Sequence, residues 1–180
     1  MSRGTSNAVK VREFMRFVGD QAKGAGRIYL TGGASAVLVG WRDTTVDVDL
    51  KLDPEPPGVF DAIARAKQVL DMNVELAAPD DFIPALPDWR RRSAFIARHG
   101  PVAFLHYDFH AQALAKIERG HTQDLRDVEA MGRLKLIEAG RLSRLFDAVE
   151  PDLPRYPAID PASFRDRVRE ALRTLDGPNP

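Results

Sequence analysis

The sequence predicts an α/β (α+β) domain with flanking helices and a helical C-terminal part. Three observations carry this. Short apolar or alternating runs at 27–31, 45–52, 73–77, 93–98 and 102–107 have strand period. They are interleaved with helix-period segments up to residue 71. From residue 109 onward every periodic segment is helical. With 180 residues, 44% apolar and 29% charged, the chain can bury a sizeable core.

The elements follow in order. Asn7 caps a helix over about 8–23, with Val11, Phe14, Met15 and Val18 at helical spacing and Gly24 and Gly26 closing it. Arg27 to Thr31 reads as a short buried strand running into Gly32-Gly33. Ala34 to Val39 forms a short helix that stops at Gly40. Thr45 to Leu52 alternates, Val46, Val48 and Leu50 on one face and Asp47, Asp49 and Lys51 on the other. Pro54 to Pro57 ends that strand. Residues 58–71 are helical, with Val59, Ile63, Val69 and Leu70 expected inside. Asn73 to Ala77 is a third strand, and 79–87 an irregular segment. Ser93–Arg98 and Val102–Tyr107 flank His99-Gly100-Pro101 as an antiparallel hairpin. Helices are expected over 109–118, 123–133 (capped by Thr122), 140–149 and 162–175, with Pro151, Pro154 and Pro157 as a stiff connector. The expected division is a domain over 1–135 and a helical extension over 136–180 packed on it.

Composition excludes several classes. The absence of cysteine rules out disulfides, thiolate metal sites and a Cys nucleophile, and fits a reducing cytoplasm. No apolar run is long enough to span a membrane, and the N-terminal residues lack a secretory apolar core. Net charge is zero, so the chain is not a general polyanion binder, but the charge is uneven. Residues 1–28 carry six basic and two acidic side chains, and residues 43–81 three basic and ten acidic. Arg90, Arg91, Arg92 and Arg98 stand against Asp88. Arg90-Arg91-Arg92 after Trp89 reads either as a grip on a nucleic-acid strand or as a solvated cluster. Trp41 reads as a base-stacking residue or as cover for a sheet edge. The four histidines show no HExxH arrangement. No P-loop, dinucleotide fingerprint or Gly-x-Ser-x-Gly elbow is present.

The informative stretch runs from Leu30 to Leu50. Gly32-Gly33 at a strand end lets a phosphate approach the backbone at a helix N-terminus. Thirteen residues separate Gly33 from Asp47-Val48-Asp49, whose carboxylates share one strand face about 6.5–7 Å apart. That spacing suits shared coordination of Mg2+, a hard cation that takes oxygen ligands. Each half has a plain reading, a tight turn and an exposed strand face. Their order and spacing together are what is specific.

These residues resemble the nucleotidyltransferase fold of the DNA polymerase β superfamily: an apolar residue, Gly-Gly, a spacer, then Asp-x-Asp. Gly-Gly-Ala-Ser with Gly40, Arg42 and Thr44 or Thr45 is most similar to small prokaryotic members, the AbiEii-type toxins and their relatives. A later block, Lys116 to Gly120 followed by Asp124-Leu125-Arg126-Asp127, resembles those relatives' helical Lys, Arg and Asp-x-x-Asp. The motifs cover roughly residues 27–130.

The resemblance implies a mixed sheet and a metal-dependent nucleotidyl transfer from an NTP to a hydroxyl. The acceptor would be RNA such as tRNA, or protein, and an antitoxin-like partner would complete a toxin–antitoxin or phage-defence pair. Asp47 and Asp49 would hold Mg2+ or Mn2+. Gly32 and Gly33 would shape the phosphate loop, with Ser35 and Arg42 beside the nucleotide. Lys116 would contact its phosphates, and Asp124 or Asp127 would order that lysine. Many superfamily members add a third carboxylate on a later strand. Here Glu75 or Asp108 could fill the place, and Glu75 reads equally as a solvated strand-edge residue. A non-catalytic nucleotide- or partner-binding module that keeps the fold is the alternative.

Overall fold

A computed structural model describes residues 4–177. The chain divides into two compact units, one reaching to Ala78 and including Ser93–Tyr107, the other Pro79–Arg92 and the residues from Asp108 onward.

The first unit holds helix α1 (Ala8–Gln21), strand β1 (Gly26–Thr31), helix α2 (Gly32–Val39), strand β2 (Asp47–Leu52), helix α3 (Val59–Val69) and strand β3 (Asn73–Leu76). The hairpin of β4 (Phe95–His99) and β5 (Val102–His106) completes it. The sheet is mixed, in the order β3-β2-β1-β5-β4. β1 runs antiparallel to β2 and parallel to β5; β2 runs parallel to β3, and β4 antiparallel to β5. Asn7 caps α1 as its sequence predicts, its side chain accepting from the Lys10 N–H at 2.9 Å.

One contiguous core fills one side of this sheet. It joins Val11, Phe14, Met15 and Val18 of α1 to Ile28 and Leu30, Val48 and Leu50, Val74, Phe104 and the inner stripe of α3. Because strand residues alternate, burying Val48 and Leu50 there commits Asp47 and Asp49 to the opposite face. On α3 the buried set is Val59, Ala62, Ile63 and Ala66. Val69, expected inside, is 68% exposed. The stripe continues from Ala66 to Leu70 at i+4, and Leu70, not Val69, packs on the core. Val46 is likewise exposed, because β2 begins only at Asp47.

The second unit is helical: α4 (Trp89–Arg92), α5 (Phe109–Arg119), α6 (Thr122–Arg133), α7 (Ala139–Val149) and α8 (Pro161–Asp176), with 3-10 turns at Pro79–Asp81 and Glu150–Arg155. Every residue from Phe109 to Ile117 is buried, and α6, α7 and α8 all pack on α5. The Phe146 and Phe164 rings meet edge to face at 5.0 Å and tie α7 to α8. Thr122, expected as a cap, is the first residue of α6, and His121 stands at the cap without a side-chain bond. The segment expected to be irregular is followed directly by α4. The helices α5 and α6, which the sequence places within 1–135, group with α7 and α8 rather than with the sheet.

Candidate active site

The first candidate cluster is built where β1 ends. Thr31 lies opposite Asp49 across the antiparallel pair, and Asp49 lies opposite Glu75 across the parallel one. Asp47 faces Asn73 in the same way. Thr31, Asp49, Glu75, Asp47 and Asn73 therefore share one sheet face.

Gly32 follows at once with φ +58°, a conformation that L side chains rarely adopt, and opens α2. Thr31 at the N-cap makes no side-chain cap bond, so the first turn of α2 begins without one. An anion is favoured at such a helix start. Gly33 is required for a different reason. A Cβ there would stand 1.9 Å from the Thr45 hydroxyl oxygen. Thr45 donates that hydroxyl to the Asp47 carbonyl at 3.0 Å and pairs with Ser6 through both backbone groups. The close approach of Gly33 to Thr45 thus ties the glycine turn to the start of the acidic strand. Gly33→Ala is expected to destabilise the protein by about 1–3 kcal/mol, as overpacking does. Urea unfolding checks this, and Thr45→Gly in the same chain should recover part of that stability.

Asp47 and Asp49 are both half-buried, and Glu75 is exposed. The Asn73 amide nitrogen donates to Asp47 Oδ1 at 2.5 Å and to Glu75 Oε1 at 3.0 Å. The sequence marks Asn73 only as the start of a strand. Its period-two relation to Glu75 is the signal that places it on the acidic face. The oxygen donors of Asp47 and Asp49 fit a hard divalent cation. Among the described residues, no three His, Asp or Glu side chains are grouped to hold a metal ion. Glu75 therefore does not form a three-carboxylate group with the pair; it is joined to Asp47 through Asn73.

One expected contributor is turned elsewhere. Ser35 is fully buried. Its hydroxyl donates to the Leu30 carbonyl at 3.1 Å and lies 2.9 Å from His106 Nδ1. Both contacts hold the Ser35 side chain inside the protein. This corrects the expectation that Ser35 faces a phosphate: the hydroxyl braces α2 from within. Arg42 stands half-exposed just beyond α2, its N–H 3.4 Å from the Ala36 carbonyl.

Burial, and then the positive charge of Arg12, lower the His106 pKa from 6.5 to about 4. The folded state thus binds its proton less readily than the unfolded chain. The resulting stability is complete above about pH 6.5 and is lost as pH falls toward 4, amounting to about 3 kcal/mol. Urea unfolding at pH 7 and pH 4.5 should show this fall, and His106→Asn should flatten it.

The second candidate cluster lies within the helical unit. Lys116 Nζ donates to Asp127 Oδ2 at 2.7 Å and lies 3.5 Å from Asp124 Oδ1. Arg119 grips both oxygens of Asp124, and Gln123 donates to Asp127 at 3.1 Å. Lys116, Asp124 and Asp127 are all buried. The structure thus brings together the lysine and the two aspartates that the later motif contains. Asp108, the other candidate third carboxylate, caps α5 and is 1% exposed. Burial pushes its carboxyl up, but hydrogen bonds from His110 and Arg92 outweigh this and hold it below the ordinary range. Arg92 reaches it at 2.7 Å, so Asp108 is a structural partner of α4.

Searches of curated proteins and of solved structures find no match. A family model described as nucleotidyltransferase of unknown function (DUF6036) matches residues 7–170, which includes both clusters. No helix among the described residues is long and apolar enough to cross a membrane. With a glycine turn locked to an Asp-x-Asp strand and that family matching nearly the whole chain, the protein belongs to this nucleotidyltransferase family.

Proposed function

We propose that the protein is an Mg2+- or Mn2+-dependent nucleotidyltransferase that moves a nucleotidyl group from an NTP to a hydroxyl on RNA, such as tRNA, or on protein. The observation that carries this is the shared sheet face of Asp47 and Asp49 beside the Gly32-Gly33 turn. Asp47 and Asp49 would hold the cation, which when bound neutralises phosphate charge and lowers the pKa of a coordinated hydroxyl. The acceptor oxygen bonds to the α-phosphorus while the bond from that phosphorus to the bridging oxygen breaks. Pyrophosphate leaves with the electron pair, and the hydroxyl proton passes to solvent. Gly32 and Gly33 let the phosphates approach the start of α2, and Arg42 adds a positive charge close by. Lys116 is proposed to meet nucleotide phosphate, and Asp124 and Asp127 to hold its ammonium in place. Such chemistry depends on positioning and charge more than on covalent catalysis. A role in a toxin–antitoxin or phage-defence pair with a cognate partner belongs to the same proposal.

The test is incubation with labelled NTPs, Mg2+ and either total tRNA or cell extract. Label transferred by the wild type but not by Asp47→Asn/Asp49→Asn supports the reading. Equal labelling, or none, counts against catalysis. One observation favours a second reading, a nucleotide-binding module without turnover: the Asn73 amide lies where it satisfies Asp47 and Glu75 without a cation. Calorimetry that finds NTP binding with no pyrophosphate release would favour that module.

A further inference from the structure

The helical unit carries a second charged feature, unrelated to the acidic strand. A concavity of about 530 Å³ is lined by Pro87, Asp88, Arg91, Arg92, Arg141, Arg144, Leu145 and Ala148. Its arginines come from α4 and α7, which lie some fifty positions apart in the chain. Arg141, Arg144, Leu145 and Ala148 form one face of α7 at i, i+3, i+4 and i+7 spacing. Arg92 is anchored on Asp108. Among the described residues, Arg91, Arg141 and Arg144 form no ion pair. Asp88 is the single acid in the lining. Three exposed guanidinium groups outside ion pairs and an anchored fourth line one opening, so an anion seated there is attracted by all of them at once.

We propose that this concavity binds the phosphate backbone of a nucleic-acid duplex. Two features select that ligand. First, the lining has no aromatic side chain. Trp89, the aromatic beside the arginine run, is buried and carries Arg90 over its ring at 4.6 Å. Single-strand binders depend on exposed stacking platforms, and this site offers none. Second, the apolar part of the lining is only Pro87, Leu145 and Ala148, against four arginines, which leaves a peptide's anchor residue little to fill. What remains is a row of planar donor forks suited to phosphate oxygens. Such forks fix position without reading bases.

The experiment is fluorescence anisotropy on the full chain, without NTP or divalent metal, so its outcome is independent of transfer chemistry. The probes are labelled 20-base-pair RNA and DNA duplexes, at several salt concentrations. Arg91→Gln/Arg141→Gln/Arg144→Gln should weaken duplex binding at least tenfold. It should also lower the slope of log affinity against log salt by about three, since each neutralised phosphate adds roughly 0.9 to that slope. Arg92 is left in place because its removal would strip a buried carboxylate of its partner. Arg126→Gln/Arg133→Gln/Arg169→Gln removes the same charge from positions outside the lining and should leave affinity within twofold. Selective weakening with either duplex supports the site, and the two arms show whether A-form RNA or any duplex is the ligand. Equal weakening in both triple variants overturns the proposal. So does the absence of duplex binding at low salt, or displacement of the duplex by polyglutamate as readily as by unlabelled duplex.

Discussion

Asp127→Ala should lower stability by roughly 3–5 kcal/mol, the cost of leaving a buried charge without its partner. Asp127 is 1% exposed and Lys116 4%. Their separation of 2.7 Å is shorter than the 3.5 Å from Lys116 to Asp124 and the 3.1 Å from Gln123 to Asp127. Asp124 compensates only in part: it pairs with the ammonium at the longer 3.5 Å, and Arg119 already holds both its oxygens. The ammonium, left with its weaker partner, sits between α5 and α6, so thermal unfolding should move down by about 10 °C. Replacing both ions, as Lys116→Met/Asp127→Leu, should restore most of this stability, since apolar isosteres often match a buried pair. That double variant also separates two roles of Lys116. If the ammonium only packs the helices, nucleotidyl transfer returns with stability. If it meets nucleotide phosphate, stability returns and transfer does not. A single Asp127→Ala as stable as the wild type would show that the pair contributes nothing.

What the sequence makes legible follows from which signals are local. The start and buried face of α1 are specified by Asn7 and the Val11, Phe14, Met15, Val18 stripe, because capping and periodicity act within a few residues, while its end at Gln21 comes two residues before the expected one. The pairing of β1 with β2 follows from thirteen residues that leave room only for a short helix and a turn. Asp47 and Asp49 are readable for the same reason: alternation fixes their face. Ser35 is not. Its position in the first turns of α2 matches a phosphate-loop donor, but its direction is set by His106, 71 residues away, and by the Leu30 carbonyl. Period two places Asn73 on the acidic face, but its cross-strand bond to Asp47, like the loop contact of Thr45 with Gly33, is encoded by no local pattern. The division into units escapes the sequence for a related reason. Helices α5 and α6 follow the hairpin without a linker, and only their packing with α7 and α8 shows where they belong.

Asp47→Asn/Asp49→Asn should reduce transfer about a thousandfold or more while leaving the fold as stable as before, or slightly more so. The first half follows from the proposal that these carboxylates hold the cation that neutralises phosphate charge. Removing one preorganised electrostatic group costs about 10²–10³ in rate, and here both are removed. The second half follows from register. Asp49 stands directly opposite Glu75 on the neighbouring strand, and like charges so placed are destabilising by a few tenths of a kcal/mol. Asparagine at 49 removes that repulsion, and asparagine at 47 keeps an oxygen to accept from the Asn73 amide. A residue retained for folding would behave in the opposite way. Addition of Mg2+ supplies an independent reading: the wild-type melting temperature should rise with metal concentration, and that of the double variant should not. Transfer that survives both substitutions would remove the acidic strand from the chemistry. A metal-induced rise equal in both proteins would place the cation elsewhere.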